Sequence, residues 1–172
     1  AESRGLGDVY KRQSLPAAAY TYAIPSEFRN KGFRRFGFHG INHQHVSETV
    51  AAQWRGQGKD PSQLRLLSAH LGAGASLAAV KGGRCIDTTM GFTPLEGLVM
   101  ATRSGNVDPG LLLELMREGY SEDQMATILQ KESGLKGLSG LSGDMRTIRE
   151  AAANGHNGAI RALDVFRHRL LQ

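Results

Sequence analysis

Two side chains in glycine-rich surroundings could assist the transfer of a phosphoryl group. His39 lies in Gly37-Phe38-His39-Gly40, and Arg103 lies in Ala-Thr-Arg-Ser-Gly. An imidazole N–H and a planar guanidinium both donate hydrogen bonds to phosphoryl oxygens. Each also has an ordinary explanation, His39 as a half-buried histidine bonded to backbone and Arg103 as a solvated loop arginine. Taken singly, neither residue identifies a site.

A glycine turn adds a third candidate element. The run His70-Leu71-Gly72-Ala73-Gly74-Ala75-Ser76 joins two apolar segments. Its glycines allow backbone N–H groups to approach an anion, and Ser76 adds a hydroxyl donor. The turn is neither a P-loop nor a dinucleotide fingerprint, because no Lys-Ser/Thr follows and a hairpin replaces the strand-to-helix turn. A phosphate is the natural ligand, although such a turn is also a common plain hairpin.

The other reactive side chains are less specific. Asp87 ends a predicted strand, where it either caps the next turn or orients a magnesium-bound water. Cys85 has the position of an ordinary strand residue. His43 and His45 lack Cys, Asp or Glu partners at the spacing of metal ligands, so no zinc site is expected.

Composition sets the class of protein. The 172 residues are 40% hydrophobic and 22% charged, which is typical of a globular chain. One cysteine excludes an internal disulfide framework, and no apolar run reaches the roughly 18 residues of a membrane span. The net charge of +5 is compatible with nucleic acid or smaller phosphates as ligands. Because Lys and Arg are scattered and no RNA-binding motif occurs, we expect no nucleic-acid partner.

Periodicity predicts the elements that would position these residues. Three short strands are expected at Leu64–Leu71, Ala75–Gly83 and Arg84–Met90, joined by glycine turns. Helices are expected at 42–55, 108–118, 121–133, 144–153 and 156–171, with Asn42, Asp108 and Ser121 as caps. The segment 32–40 is expected to be extended and to end in a glycine turn, 91–110 to be a long irregular loop, and 135–143 to be a flexible loop. This order of strands followed by helices indicates an α/β unit with a partly antiparallel sheet, and no linker divides it.

The first residues differ in character from the rest. Residues 3–13, SRGLGDVYKRQ, have no helical or strand periodicity and back-translate codon by codon onto a transposase adapter used in sequencing libraries. We therefore expect 1–13 to be adapter read-through and 14–172 to be the native part. The alternative is an ordinary disordered extension.

In their order and spacing, two blocks resemble the acetate kinase family, which includes propionate kinases. They are RRFGFHGINHQHVS and HLGAGASLAAVKGGRCIDTTMGFTPLEGLVMATRSGNVDPG. The resemblance extends over essentially the whole chain beyond residue 13. It implies a ribonuclease H-like, actin-like ATPase fold, shared with sugar kinases and heat-shock ATPases. It also implies reversible phosphoryl transfer from ATP to acetate, with Mg²⁺, giving acetyl phosphate.

The resemblance assigns roles to particular residues. His39 and Arg103 match the residues that stabilise the transferring phosphoryl group, and Phe38 and Pro94 match positions lining a pocket for the acetate methyl group. The expected ATP-phosphate loop consists of His70, Leu71, Gly72, Ala73 and Gly74, with Ser76 added for its hydroxyl. No metal ligand is assigned. Ala73 departs from the family, which usually has Asn there, so this turn must rely on backbone donors.

The resemblance implies a chain truncated at both ends, the central part of a longer kinase and mostly the start of its C-terminal nucleotide-binding domain. Because the catalytic aspartate and the adenosine-binding segments of the family fall outside it, we expect the isolated chain to be inactive. The full-length parent is expected to be a cytoplasmic homodimer acting on acetate or propionate, with no membrane partner. A propionate kinase of the same family and a non-catalytic phosphate- or nucleotide-binding module are the alternatives.

Overall fold

The computed structural model describes residues 14–172, so the adapter interpretation of 1–13 lies outside the described residues. Although no Pro- or Ser-rich linker interrupts the sequence, the chain forms two compact units. The first runs to Leu71 and continues over Ser76–Pro94, and the second comprises Gly72–Ala75 and Leu95–Gln172. These boundaries fall within a hairpin and after Pro94, where the composition of the sequence does not indicate a division between two units.

Short helices and a three-stranded sheet make up the first unit. The helices are α1 (Ala17–Tyr20), α2 (Ser26–Asn30) and α3 (Gly40–Gly56), and the strands are β1 (Arg65–Leu71), β2 (Ala75–Lys81) and β3 (Arg84–Thr88). The strand order is β1-β2-β3. The connection between β1 and β2 is too short for a parallel crossover, so these strands run antiparallel. The predicted strands and their glycine turns are confirmed, with slightly shorter ends.

The pairing of β2 with β3 is antiparallel and contains a bulge. Ala79 pairs with Asp87 whereas Val80 pairs with Cys85, so the register shifts between these two pairs. Alternate side chains of β2 are buried, among them Ser76, Ala78 and Val80. The period of two places Ser76 on the same buried face as these apolar residues.

The segment before α3 is held by the end of β3. The Arg35 guanidinium donates to the carbonyls of Thr88, Thr89 and Met90 at 3.0, 3.2 and 3.3 Å. The backbone N–H groups of Phe36 and Gly37 both donate to the carbonyl of Gly91. After a bend at Phe38, where Gly37 has a φ of 70°, the segment leads into α3 at Gly40.

Helix α3 begins earlier than the sequence predicts and buries a different face. It starts at Gly40 with His39 as the N-cap, so the prediction of Asn42 as the cap is wrong. The most buried residues of the helix include His43 and Ser47, whereas the expected apolar stripe of Val46, Val50 and Trp54 is only half-buried. The helix therefore presents polar side chains to β1 and β2.

The second unit is helical. After the irregular segment 91–108 it contains α4 (Pro109–Arg117), α5 (Glu122–Thr127), a π turn (Ile128–Glu132), α6 (Gly134–Ser139), α7 (Met145–Ala153) and α8 (Asn157–Leu171). Asp108 and Ser121 cap α4 and α5 as predicted, and Ser121 forms a reciprocal capping box with Gln124. The helix predicted at 121–133 is helical to Glu132, with a π turn over its last five residues. The prediction of a loop at 135–143 is wrong, because the chain is helical through Ser139.

The core of the second unit lies between α6, α7 and α8. Val99, Leu135, Ile148, Ala159 and Ala162 form one buried cluster. The small residues of α8 allow close packing, since a side chain at Gly158 would overlap the carbonyl of Ser139. Within residues 14–172, no helix is long and apolar enough to cross a membrane.

Candidate functional site

His39 has an unusual backbone conformation. Its φ of 59° and ψ of 27° are left-handed, and among residues 14–172 it is the one non-glycine residue with a positive φ. Such a conformation costs free energy and persists when the surroundings over-determine it. Here Gly37, held by the Gly91 carbonyl, precedes it and α3 follows it directly. The position of the imidazole is therefore fixed by the backbone on both sides.

The ring of His39 is held by two neighbours. It stacks on the ring of His70 with a centroid distance of 3.9 Å and an interplanar angle of 15°. Its Nδ1 lies 2.9 Å from the hydroxyl oxygen of Ser76. The structure thus brings together three residues that the sequence singled out, and all three belong to the first unit.

A buried histidine extends this contact inward. His43 has no exposed surface, and its Nε2 lies 2.8 Å from the same Ser76 hydroxyl. Its Nδ1 lies 2.8 Å from the hydroxyl of buried Ser68 on β1. Ser76, expected to donate to a phosphate, is instead fully buried between two imidazole rings.

A pocket of about 440 Å³ lies at the start of α3. It is lined by His39, Gly40, Ile41, Asn42, His45 and His70. The first N–H groups of a helix lack partners within the helix and carry the positive end of its dipole. This combination of a helix start with stacked imidazoles suits an anion.

Arg103 lies in the second unit on a loop that closes on itself. The N–H of Met100 donates to the Arg103 carbonyl at 3.2 Å, which makes the tip of the loop a tight turn. At the base, the Gly97 N–H donates to the Asn106 side chain and the Asn106 N–H donates to the Gly97 carbonyl. Arg103 is half-buried, and one nitrogen of its guanidinium lies 3.9 Å from the sulfur of Met100. Arg103 is therefore not a fully solvated loop residue.

The segment around the π turn clamps this loop. The N–H groups of Ser133, Leu135 and Lys136 donate to the carbonyls of Thr102, Met100 and Ala101 at 3.1, 2.8 and 3.0 Å. Gly134, with a φ of 64°, lies so close that a Cβ there would be 2.7 Å from the Arg103 carbonyl and closer still to that of Met100. Only glycine fits this position.

The tip of the glycine hairpin belongs to the same unit as Arg103. The Gly72 N–H donates to the Gly74 carbonyl at 3.1 Å, and the Ala73 carbonyl accepts from Ala101 at 3.2 Å. Gly72 and Ala73 are exposed. The tip is thereby tied to the Arg103 loop, and the Gly72 N–H that was expected to approach an anion is occupied within the turn.

The remaining candidates lie outside the histidine pocket. Phe38 and Pro94 are half-buried in the first unit and do not line that pocket. The Asp87 carboxylate accepts from the Thr88 N–H at 2.8 Å, as the capping interpretation predicts. Cys85 is a buried strand residue whose thiol donates to the Asp87 carbonyl.

Across residues 14–172, no group of three or more His, Cys, Asp or Glu side chains is placed to hold a metal ion. We assign no residue of this part of the chain as a ligand of the Mg²⁺ that the family resemblance implies.

Two parts of the site escaped the sequence reasoning. The sequence motifs give His43 no role beyond that of a possible metal ligand, although its position one helical turn after His39 indicates a shared face. The sequence does not indicate the clamp on the Arg103 loop, because it predicts a loop for most of the segment that forms the clamp.

The chain belongs to the acetokinase family, whose model matches residues 8–172. The acetate kinase of Synechococcus sp. (strain JA-2-3B'a(2-13)) is 50% identical over 163 residues, which are 95% of this chain and 40% of that protein. The crystal structure of Porphyromonas gingivalis acetate kinase matches with a TM-score of 0.86 at 43% identity, over 94% of this chain and 40% of that one. A propionate kinase from Francisella tularensis matches with a TM-score of 0.86 at 39% identity, over 95% of this chain and 41% of that one.

These matches confirm the expected family and fold class. They also show that this chain spans about 40% of the length of its relatives.

Proposed function

We propose that this chain is the central part of an enzyme that transfers the γ-phosphoryl group of ATP to acetate, reversibly, giving acetyl phosphate and ADP. The observation that carries the proposal is the fixed His39 imidazole at the start of α3, stacked on His70 and lining the pocket. Family membership and the names of the relatives support the same reaction.

The geometry suits phosphoryl transfer, in which negative charge spreads over the equatorial oxygens of the moving group. A protein accelerates this reaction mainly by positioning groups and supplying preorganised donors. In the proposed role, the imidazole of His39 donates to a phosphoryl oxygen and the first turn of α3 attracts the anion. Little reorganisation is needed, because the backbone already fixes His39.

Arg103 is the proposed second donor. Its clamped loop holds the backbone on both sides of the guanidinium, which pre-organises it for a charged oxygen. The adjoining hairpin tip, Gly72–Gly74, is proposed to contact the phosphates of ATP through backbone groups other than the Gly72 N–H, which is bonded within the turn. Phe38 and Pro94 remain the proposed lining of the acyl pocket.

ATP with Mg²⁺ is the proposed phosphoryl donor of the complete enzyme. The use of ATP leads us to propose a cytoplasmic enzyme, and the family resemblance leads us to propose a homodimer. Light scattering of the complete enzyme measures the dimer directly.

The test uses a chimera in which residues 14–172 replace the matching segment of the Synechococcus acetate kinase. We expect the chimera to form acetyl phosphate, measured as hydroxamate together with ADP release. The 172-residue chain alone should show no turnover. A chimera that folds and binds ATP without forming acetyl phosphate would instead indicate a phosphate-binding module.

Arg103→Ala in the chimera should reduce kcat at least about a hundredfold, because an arginine that stabilises the transition state of phosphoryl transfer has an effect of at least this size. The matched control is Arg117→Ala, since Arg117 is an exposed arginine paired with Glu114 on α4. Equal turnover of the two variants would remove Arg103 from the mechanism.

Propionate is the second candidate substrate, because a propionate kinase matches as closely in structure as an acetate kinase does. The ratio of kcat/KM for acetate and propionate in the chimera decides between them. The same ratio, measured for the unmodified Synechococcus enzyme with its own segment in place, controls for the contribution of the host enzyme.

A further inference from the structure

We propose that Ser76 and His43 are positioning residues that hold His39 as the tautomer with its proton on Nε2. The inference rests on the proposed function of His39 as a donor to the phosphoryl group. Its basis is the unbroken series of side-chain contacts Ser68–His43–Ser76–His39, with distances of 2.8, 2.8 and 2.9 Å.

The first step is the protonation of His43. A fully buried imidazole resists charging, because burial disfavours the ionised form. Neutral His43 carries one N–H, so it donates from one ring nitrogen and accepts at the other. Both of its nitrogens meet serine hydroxyls, which can take either role.

The second step is the single proton of the Ser76 hydroxyl. Ser76 faces a ring nitrogen on each side but can donate to only one of them. If Ser76 donates to His39, the directions of the two remaining bonds follow, because the hydroxyl has no second proton. If His39 is neutral and donates from Nε2, its Nδ1 must accept from Ser76. Ser76 then accepts from His43 Nε2, and His43 Nδ1 accepts from Ser68.

The reverse order places the proton of neutral His39 on Nδ1. The Nε2 atom would then be an acceptor, which repels a phosphoryl oxygen. The chain thus allows a neutral imidazole to act as a donor, without requiring His39 to be charged at the pH of the reaction. Ser76 and His43 do not touch the reacting atoms in this arrangement, and they act through His39.

The test is a double-mutant cycle in the chimera. His39→Asn removes the imidazole while retaining a residue that tolerates a left-handed backbone, and should lower kcat about a hundredfold. Ser76→Ala should lower kcat about tenfold with KM for ATP and acetate within about twofold, the effect of one lost positioning hydrogen bond. In the His39→Asn background, Ser76→Ala should cause no further loss, because its effect requires the imidazole.

Ser47→Ala is the matched control. Ser47 is buried on α3 one turn beyond His43 but is not part of this series of bonds, so its loss should leave kcat within about twofold. If Ser76→Ala does not fold, Ser76→Cys replaces it, since a thiol of similar size is a weak donor.

A second measurement needs no turnover. In protein labelled with ¹⁵N-histidine, the His39 resonances, assigned by their loss in His39→Asn, should show the Nε2-protonated neutral ring. Ser76→Ala should change this to a mixture of tautomers. A ring protonated on Nδ1 in the unmutated chimera overturns the inference.

The outcomes separate the two proposals. If His39→Asn retains full turnover, the proposed role of His39 fails. Suppose instead that His39→Asn lowers kcat. The positioning role alone then fails if Ser76→Ala leaves kcat unchanged, or if it lowers kcat equally in the unmutated chimera and in His39→Asn.

Discussion

Replacing Gly134 with alanine tests whether the clamp on the Arg103 loop needs a residue without a side chain. The variant Gly134→Ala introduces two costs: a left-handed φ of 64° and a Cβ that overlaps the carbonyls of Met100 and Arg103. The matched control is Gly140→Ala, because Gly140 has a φ of 69° and no atom within 4 Å of its Cβ position. The difference between the two variants isolates the overlap.

The left-handed backbone alone costs alanine about 1 kcal/mol, which we expect for Gly140→Ala. At Gly134 the carbonyls must also move, and this strains the bonds from Ser133, Leu135 and Lys136 to residues 100–102. Each such bond contributes about 1 kcal/mol net. We therefore expect Gly134→Ala to lower the free energy of unfolding by about 2–3 kcal/mol more than Gly140→Ala.

Urea denaturation of the 172-residue chain, followed by circular dichroism, measures this difference. Fluorescence of the single tryptophan, Trp54 on α3, gives a separate reading of the first unit. In the chimera, Gly134→Ala should also lower kcat, because the clamp carries Arg103, whereas Gly140→Ala should not. If the two variants unfold within about 0.5 kcal/mol of each other, the close approach at Gly134 does not stabilise the loop.

Three further predictions concern the second unit, all measured by urea denaturation of the 172-residue chain. Ile148→Val, in the buried cluster, should cost about 0.5–1.5 kcal/mol, and an unchanged midpoint would show that the site collapses around the smaller residue. Ser121→Ala should cost about 1 kcal/mol by removing the capping box, with the exposed Ser26→Ala as a serine control outside it. Bonds from Thr147 lower the pKa of Asp144 from its usual range, so this carboxylate stabilises the fold above about pH 4 and ceases to do so as the pH falls through its folded pKa. The stability difference between the unmutated chain and Asp144→Asn should therefore shrink in acid, and a constant difference would contradict the assigned cause.

Local chemistry explains which parts of the fold were predictable. Alternating apolar residues and glycine pairs indicated the strands, and Asp108 and Ser121 indicated helix starts, because capping depends on side chains adjacent in sequence. The start of α3 was misplaced because His39 caps it through a left-handed backbone that tertiary contacts impose. Histidine adopts a left-handed backbone more often than most residues, but only a few per cent of non-glycine residues do so, and this preference does not locate the start of a helix.

The same distinction holds for the site. Gly37 and Gly40 around His39, and the glycine hairpin after His70, were visible as short motifs. Their convergence with His43 was not, because it depends on α3 burying polar residues in place of its apolar stripe. The glycines and serines of 135–143 have low helix propensity and predict a loop, but the packing of Leu135 in the core overrides this preference and a helix forms over Gly134–Ser139.

The hairpin tip Gly72–Ala75 gives the two units an interleaved chain path. A polypeptide ending at Pro94 would contain the tip without the rest of its unit. One beginning at Leu95 would leave the Ala101 N–H without the Ala73 carbonyl that it donates to. During synthesis, too, the tip emerges from the ribosome before the residues that complete its unit. No single cleavage can therefore yield two intact halves: a cut after Pro94 retains the whole first unit, whereas the second unit is complete only if the tip is joined to it again, as in a circular permutation.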